Sequence, residues 1–332
     1  MIERQLWHPV VLADEVAAAP VAVRLLGENL VLWRDEAAAV HAWADRCPHR
    51  GAQLSLGRVV ACDGRAALEC PYHGWRFEPD GRCIQVPALP DFVPPATHRA
   101  MAHAAVEAQG LVWVRLESVG QGDAALPAFE AESDAGMRKI SCGPYDVETS
   151  APRLVENFLD MAHFGFVHEG WLGAREMAVI DDYRVEATPD GLRATGCKAW
   201  QPQSTAHSTA PAQVEYGYEV TAPYAAMLTK VPEASSVGID GYRESIALRI
   251  CPVDAERSRV WFRFATSDFE RDAASVRAFQ DTIFLQDKPV LESQAPKRLP
   301  LDLRAELHTV ADKASSLYRR HLKMRGITFG VC

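Results

Sequence analysis

The chain has 332 residues, enough for two domains, and its 48% hydrophobic and 24% charged residues are typical of a globular protein with a full apolar core. A formal net charge of −9 argues against a nucleic-acid-binding surface, and no apolar run is long enough to span a membrane. Charged residues near the N-terminus are unlike a secretory signal peptide, so we expect a cytosolic protein.

The first part of the chain predicts short β-strands. Apolar runs at residues 21–26, 29–33 and 110–116 are separated by glycine turn positions, which is the pattern of a small all-β domain. The polar, glycine-rich stretch at residues 118–123 is the candidate boundary. It divides the chain into an N-terminal domain of residues 1–122 and a second domain of residues 123–332.

Two short loops in the first domain each carry one Cys and one His. They read Cys-Pro-His-Arg-Gly at residues 47–51 and Cys-Pro-Tyr-His-Gly-Trp at residues 70–75. Two thiolates and two imidazoles suit a two-iron cluster in which both cysteines hold one iron and both histidines hold the other. The candidate ligands are Cys47, His49, Cys70 and His73.

A structural zinc site is the alternative, because two Cys and two His also satisfy tetrahedral zinc. Zinc modules usually place two or more residues between paired ligands, whereas a single residue separates Cys47 from His49. The Asp-Gly pair at residues 63–64 predicts a hairpin turn between the two loops, and Cys62 beside it is a weaker rival ligand. The spacing therefore favours the iron–sulfur cluster.

The second part of the chain predicts an antiparallel sheet flanked by helices, so the whole molecule is expected to be of the α+β class. Residues 244–249 and 259–264 alternate apolar and charged side chains, as half-exposed strands do. The loop at residues 203–213 has no periodicity, and we favour a plain surface loop over a lid.

A segment early in this second domain offers another metal site. Asn157, Asp160 and His163 recur at intervals of three, which predicts one side of a helix. Gly165 can loosen that helix and let His168 turn back toward His163. Two imidazoles and one carboxylate leave open positions on an iron, which is the arrangement of mononuclear non-haem Fe(II) oxygenases.

Asp287 is the best candidate for the carboxylate. A capping box at residues 267–270 predicts the start of a helix on which Ile283 and Asp287 share one face, where an unpaired charge is costly unless it binds a metal or a partner. Asp281 falls off that face, and Pro289 is expected to interrupt the helix and aim Asp287. Taken alone, each residue has an ordinary reading, as a core histidine or a helix-end carboxylate.

Taken together, these motifs resemble the α subunits of Rieske non-haem iron oxygenases. The resemblance rests on the two Cys/His loops, the Asn-x-x-Asp-x-x-His-x4-His run and the Gln-Asp-x4-Glu-x-Gln segment at residues 286–294. It covers nearly the whole chain and is strongest to the aromatic O-demethylase and monooxygenase branch, such as vanillate and dicamba demethylases. The twenty residues between His49 and Cys70 are a few more than is usual in that family.

The resemblance implies a set of roles. His163, His168 and Asp287 would hold the iron, and Asn157 and Asp160 would assist catalysis. Asp160 would bridge His73 of one subunit to His163 of the next in a ring-shaped homotrimer. Each chain would carry one [2Fe-2S] Rieske cluster and one mononuclear Fe(II), and NAD(P)H would act only indirectly, through a partner ferredoxin or reductase.

The expected function is hydroxylation or O-/N-demethylation of a small, aromatic substrate with O2. The alternatives are an arene dihydroxylase, a hydroxylase of a polycyclic natural product and, more distantly, a Rieske-type electron carrier with an unrelated appended domain. The sequence does not name the substrate, because pocket shape rather than metal identity decides between these reactions.

Overall fold

The computed structural model describes residues 1–62, 64–118, 125–239 and 241–332. The chain forms two compact units, Met1–Ala125 and Leu126–Cys332. The predicted boundary stretch, residues 118–123, lies outside the described residues apart from Ser118. The exact limits of the two predicted domains therefore stay a proposal.

The N-terminal unit is built from antiparallel strands in two sheets. Six strands form one sheet in the order β1-β10-β9-β4-β3-β2, and four form the other in the order β5-β6-β7-β8. The strands are β1 (His8–Leu12), β2 (Val21–Leu25), β3 (Glu28–Arg34), β4 (Val40–Ala44), β5 (Arg58–Cys62), β6 (Arg65–Glu69), β7 (Arg76–Phe77), β8 (Cys83–Gln85), β9 (Ala102–Ala108) and β10 (Leu111–Arg115).

The core of this unit sits beneath the two Cys/His loops. Trp33 and Trp43 are fully buried and meet edge to face with ring centroids 5.1 Å apart. Cys47 and Cys70 belong to the same apolar cluster. Since each large aromatic side chain buries 150 Å² or more on average, the cluster gives the two loops a rigid base.

The C-terminal unit is one large antiparallel sheet. Its seven strands run in the order β11-β17-β16-β15-β14-β13-β12. The strands are β11 (Arg138–Val147), β12 (Arg184–Ala187), β13 (Leu192–Gln201), β14 (Ala212–Ala222), β15 (Ala225–Pro232), β16 (Glu244–Asp254) and β17 (Arg257–Thr266).

Helices lie against this sheet, so the predicted α+β class is confirmed. They are α1 (Ala151–Leu159), α2 (Phe164–Val167), α3 (Ala234–Val237), α4 (Ala273–Ser293) and α5 (Lys313–Met324). The helix α1 packs on β15 and β16, α4 packs on β11, and α5 packs on β12 and β13. No helix within the described residues is long and apolar enough to cross a membrane.

One expectation about a strand and one about a helix start are wrong. The strand β16 is buried over its first nine residues rather than half exposed, because the segment at residues 127–137 covers the face that alternation would leave to solvent. β16 and β17 form a hairpin of directly paired strands. The helix predicted from residues 267–270 begins later: Asp272 caps α4 by accepting from the amides of Ala274 and Ser275, whereas Asp268 closes a separate turn.

The helical run through Asn157, Asp160 and His163 is also interrupted. α1 ends at Leu159, Asp160 adopts an extended backbone with φ −91° and ψ 130°, and His163 precedes the one-turn helix α2. Conversely, α4 continues through Pro289 to Ser293, so the expected interruption there is wrong. A proline inside a helix removes one hydrogen bond, and packing of the rest of α4 outweighs that loss.

Candidate metal centres

The two Cys/His loops have the same backbone turn. In the first loop the amide of Gly51 donates to the carbonyl of Cys47 at 2.9 Å, and the amide of Cys47 donates to Ala52 at 2.8 Å. In the second loop Gly74 and Trp75 take the equivalent places relative to Cys70, at 3.1 and 2.8 Å. Both glycines have positive φ, 73° and 69°, a conformation that residues with a Cβ rarely adopt.

The histidine occupies a different position in each turn. His49 is two residues after its cysteine and His73 is three, so equal turns present their imidazoles differently. The two rings are neighbours, with centroids 4.7 Å apart. His49 stacks on Trp75 at 4.5 Å with an interplanar angle of 5°, whereas His73 is exposed. The structure thus brings the four predicted cluster residues to one end of the N-terminal unit.

The thiol environment fits an iron–sulfur cluster. Cys47 and Cys70 are each 2% exposed. Burial raises the pKa of Cys47, the adjacent Cys70 raises it further, and the backbone amides of His49 and Arg50 oppose the shift by hydrogen bonding. Two buried thiols that repel each other as anions, with amides already aimed at one sulfur, suit a shared cationic centre.

Cys62 is not near this centre. It pairs with Arg65 at the tip of the β5-β6 hairpin, and Cys70 follows the opposite end of β6. Five residues of strand separate the two ends, a distance of about 16 Å at 3.3 Å per residue. The Cys62 thiol faces the side-chain carbonyl of Gln85 at 3.8 Å, so its assignment as a rival ligand is wrong.

The second candidate centre joins three donor atoms. The Nε2 atoms of His163 and His168 are 3.2 Å apart, and Oδ1 of Asp287 lies 3.5 Å from the first and 3.2 Å from the second. Bonds of about 2.0–2.2 Å from one metal ion to adjacent ligands place donor atoms at roughly these separations. His168 is 1% exposed, and the side chains of His163 and Asp287 are 14% and 10% exposed.

The hydrogen bonds at Nδ1 decide which lone pairs converge. His163 Nδ1 lies 3.1 Å from Oδ2 of Asp160, and His168 Nδ1 lies 2.8 Å from the side-chain carbonyl of Gln286. Both partners accept, so each Nδ1 carries the proton and each Nε2 presents a lone pair. Two lone pairs and a carboxylate oxygen then meet with no proton between them, which is unfavourable unless a cation joins them.

Asn157 and Asp160 lie around this triad. The Asn157 side-chain amide donates to Oδ1 of Asp287 at 3.3 Å. Asp160 accepts from the amide of Ala162 at 2.7 Å, and one third of its side chain remains exposed. Burial raises the pKa of Asp160, but the hydrogen bond from His163 and the charge of that imidazole lower it by more. The net shift of the Asp160 pKa is therefore downward. Gln286 was missed as a functional residue by sequence reasoning, although it stands next to Asp287.

A cavity opens onto the triad within the C-terminal unit. It encloses about 870 Å³ of empty space, part of it continuous with solvent. Its walls are mostly apolar and aromatic and come from α1, the sheet and α4, and they include Phe158, Phe164, Tyr216, Tyr218, Phe262 and Phe284. The face of α4 that carries Ile283 and Asp287 also contributes Val276 and Phe279 to the lining.

Two findings about this cavity differ from expectation. The loop at residues 203–213 is not the plain surface loop that the sequence favours, because Ser204 and Thr205 are buried and Ala206 lines the cavity. Lys230 and Glu244 also line it, and sequence reasoning missed both. The position of Lys230 could have indicated that it is buried. It lies two residues after buried Leu228 in β15, so both side chains point to the same face of the sheet.

Comparison with known families identifies the two units. Residues 6–101 match the model of the Rieske [2Fe-2S] domain. Residues 147–325, which are 179 of the 332 residues, match the model of the vanillate O-demethylase oxygenase C-terminal domain. The chain belongs to the Rieske oxygenase α subunits.

Relatives within the Rieske oxygenases match almost the whole chain. Methylxanthine N1-demethylase NdmA of Pseudomonas putida is 34% identical over 333 residues, covering 96% of this chain and 88% of the relative. Methylxanthine N3-demethylase NdmB of the same species is 32% identical over 325 residues, with the same coverage. The structure of NdmA with caffeine has a TM-score of 0.81 at 31% identity, covering 96% of this chain and 90% of that one.

Membership of the Rieske oxygenases confirms several predictions. The chain is an oxidoreductase whose cofactors are a [2Fe-2S] cluster and a mononuclear iron, and it receives electrons originating from NAD(P)H indirectly. The zinc alternative is wrong, because the domain that holds the Cys/His loops is a Rieske domain. The electron-carrier alternative is wrong too, because the second unit is an oxygenase domain. The individual ligand assignments stay predictions.

Proposed function

We propose that this protein is the oxygenase component of a demethylase for small, methylated aromatic or heteroaromatic compounds. The observation that carries the proposal is the triad of His163, His168 and Asp287 at the wall of an aromatic-lined cavity. Its relatives NdmA and NdmB, named as methylxanthine N-demethylases, support N-methyl substrates, and the match to the vanillate O-demethylase C-terminal domain supports O-methyl substrates. An apolar cavity with few polar groups suits a planar ligand.

The proposed metal ligands divide between the units. Cys47, Cys70, His49 and His73 would hold the cluster, and the triad would hold the mononuclear iron. When bound and reduced, this iron supplies the activation of O2 for insertion of one oxygen atom into a methyl C–H bond. The hydroxymethyl product then loses formaldehyde and leaves a free N–H or O–H, while the second oxygen atom leaves as water after uptake of two electrons and two protons.

The surrounding residues position this chemistry. Asp160 and Gln286 fix the Nδ1 protons of the two histidines, and Asn157 orients Asp287. Hydrogen-bonding partners of this kind raise the basicity of the ligating groups and hold the orientation of the imidazole rings. The aromatic walls exclude bulk water from the substrate, which strengthens the electrostatic interactions inside.

We also propose the assembly implied by the sequence resemblance. Asp160 would join His73 of one subunit to His163 of the next in a homotrimer, for which the exposed imidazole of His73 and the partly exposed carboxylate of Asp160 are suited. A separate reductase or ferredoxin would supply electrons, and the protein would work in the cytosol.

The function is tested with anaerobically reconstituted protein that holds three irons per chain. The protein is mixed with a Rieske oxygenase reductase, NADH and O2, and formaldehyde release is measured from theobromine, caffeine and vanillate. At least one of the three should yield formaldehyde in proportion to NADH consumed. The His163→Ala variant is the control for formaldehyde formed without the mononuclear iron site, and it should yield no formaldehyde.

A different product would favour the alternative reactions. One relative is named as the oxygenase subunit of a 3-chlorobenzoate-3,4-dioxygenase and is 32% identical over 200 residues, covering 56% of this chain and 42% of the relative. A cis-diol product without formaldehyde would move the assignment to arene dihydroxylation. Hydroxylated product that keeps its methyl groups would move it to ring or side-chain hydroxylation.

A further inference from the structure

The substrate cavity contains one buried pair of opposite charges that the proposed reaction does not use. Lys230 in β15 and Glu244 in β16 are direct cross-strand neighbours, and both line the cavity. They are only 4% and 6% exposed. Burying two charges is expensive, and apolar residues of similar volume often stabilise a protein as well or better, so the pair calls for a functional explanation.

The ammonium group of Lys230 has N–H groups that can still donate to a ligand. Its ammonium group donates to the carbonyl of Ser204 in the 203–213 loop and lies 5.9 Å from the ring centroids of Tyr216 and Phe279. Nζ is 4.0 Å from Oε2 of Glu244, which is too far for a direct hydrogen bond. Of its three N–H groups, one has a hydrogen-bonded partner among the described residues.

The carboxylate of Glu244 can still accept a hydrogen bond beside Lys230. Its Oε1 accepts from the hydroxyl of Tyr242, and its Oε2 is the atom that faces Lys230. A donor and an acceptor therefore stand side by side across a gap of 4.0 Å at the cavity wall. A ligand that carries a hydrogen-bond acceptor and a donor on adjacent atoms can bind Lys230 and Glu244 at the same time.

This pair lies far from the triad along the cavity. Phe279, which contacts Lys230, precedes Asp287 by eight residues of α4. Eight residues of helix span about 12 Å at 1.5 Å per residue. Apolar side chains such as Ile283 and Phe284 line the stretch between. A planar, bicyclic molecule can reach the pair with one edge while a methyl group points toward the triad.

We propose that Lys230 and Glu244 recognise a lactam or imide edge of the substrate, a carbonyl oxygen next to an N–H. Lys230 donates to the carbonyl oxygen and Glu244 accepts from the N–H. The inference rests on the proposed demethylase function and narrows its substrate to methylated heterocycles that bear such an edge. A carboxylate fits less well, because it would place a second negative charge beside buried Glu244.

Binding measurements in the absence of reductant test the proposal. Dissociation constants are determined by calorimetry on the oxidised holoenzyme for two matched pairs, theobromine with caffeine and phthalimide with N-methylphthalimide, and for vanillate. The first member of each pair keeps an N–H between carbonyls, and the second carries a methyl there. At least one N–H probe should bind about tenfold or more tightly than its twin, because the twin leaves a buried acceptor unpaired.

Two double variants separate recognition from shape. Lys230→Met/Glu244→Leu replaces the pair by apolar residues of similar volume, which protects folding, and should reduce the preference to less than about twofold. Lys198→Met/Glu215→Leu makes the same changes at an exposed cross-strand pair of β13 and β14 and should keep the preference. The visible spectrum and Tm of each variant report the integrity of the fold.

Several results would overturn the inference. These are equal binding within both matched pairs, no binding of either N–H probe, tighter binding of vanillate than of both N–H probes, and a preference that survives in Lys230→Met/Glu244→Leu. The proposed function fails by a different result, the absence of formaldehyde release from enzyme with three irons per chain. The titration does not depend on turnover, so the two failures are distinguishable.

Discussion

The protonation of two imidazoles decides what the triad can bind. Because Asp160 and Gln286 accept from Nδ1 of His163 and His168, the Nε2 lone pairs of both rings are directed at the same point as Asp287. Burial lowers the pKa of His163, yet the hydrogen bond and charge of Asp160 raise it to a net upward shift. A metal cation at the triad competes with protonation of His163, so iron binding should release protons to solvent.

Removal of any triad ligand should empty this site alone. His163→Ala, His168→Ala or Asp287→Ala leaves two donor atoms, and we expect iron content to fall from about three to about two per chain with all turnover lost. The visible and EPR signals of the cluster should persist, because the Cys/His loops belong to the other unit.

Asp281→Ala is the matched control for this series. Asp281 lies on the same helix but points away from the triad and accepts from the hydroxyl of Tyr145 at 2.5 Å. This variant should keep three irons per chain. Full iron occupancy and activity in Asp287→Ala would show that another carboxylate completes the site.

Gln286 should matter for iron affinity although it offers no ligand. Gln286→Leu removes the acceptor that orients His168, and loss of such a partner typically weakens metal binding 10- to 100-fold. Gln286→Glu keeps an acceptor at the same distance and should restore most of the affinity. Competition with a ferrous chelator measures both variants. Wild-type affinity in Gln286→Leu would show that packing alone orients the His168 ring.

At the scale of elements, sequence patterns located the site but not its backbone. The spacing of Asn157, Asp160 and His163 predicted that they gather, and they do, yet not on one helix. Asp160 accepts from the amide of Ala162 and ends α1, a local side-chain bond that competes with helix hydrogen bonds. Helical periodicity carries no information about such a competition.

Strand patterns were informative in a similar, partial way. Period-two alternation predicted the antiparallel strands, whereas the burial of β16 depends on distant parts of the chain, with α1 and α4 on one face and residues 127–137 on the other. The alternation of side chains along each strand already indicated that Lys230 and Glu244 point inward. Their proximity was not, because it requires the β15-β16 register.

The helix α4 permits a test of what Pro289 does. Pro289 is exposed and lies inside the helix, where it removes the hydrogen bond to the carbonyl of Leu285. Pro289→Ala should stabilise the C-terminal unit by about 1–3 kcal/mol and raise Tm by several degrees, with iron content unchanged. Differential scanning calorimetry and iron analysis measure the two quantities. Loss of iron in this variant would instead mean that the proline aims Asp287.

At the scale of the molecule, each candidate centre is built within one unit. The Cys/His loops belong to Met1–Ala125, and the triad belongs to Leu126–Cys332. Both groups of donor residues could be predicted because short motifs encode them. The cavity and its charged pair could not, since they arise from strands and helices that are distant in sequence.

The proposed trimer gives Asp160 a role that neither unit explains by itself. Asp160→Asn keeps the side-chain shape and an oxygen for the Ala162 amide, but it removes the charge that would link His163 to His73 of a neighbouring subunit. We expect both metals to stay bound and native mass spectrometry to find a trimer in wild type and variant. Electron transfer from the cluster to the iron should slow by orders of magnitude, because the bridging carboxylate fixes both imidazoles.

Single-turnover stopped-flow measurements test this role directly. Protein carrying one electron on the cluster is mixed with O2 and a substrate identified by formaldehyde release, and the recovery of the oxidised-cluster absorbance is followed. Asp281→Asn carries the same substitution elsewhere in the unit and should react at the wild-type rate. If Asp160→Asn also reoxidises at that rate, Asp160 serves only to end α1 and hold Nδ1 of His163. A monomeric wild-type protein that still turns over would exclude the intersubunit bridge altogether.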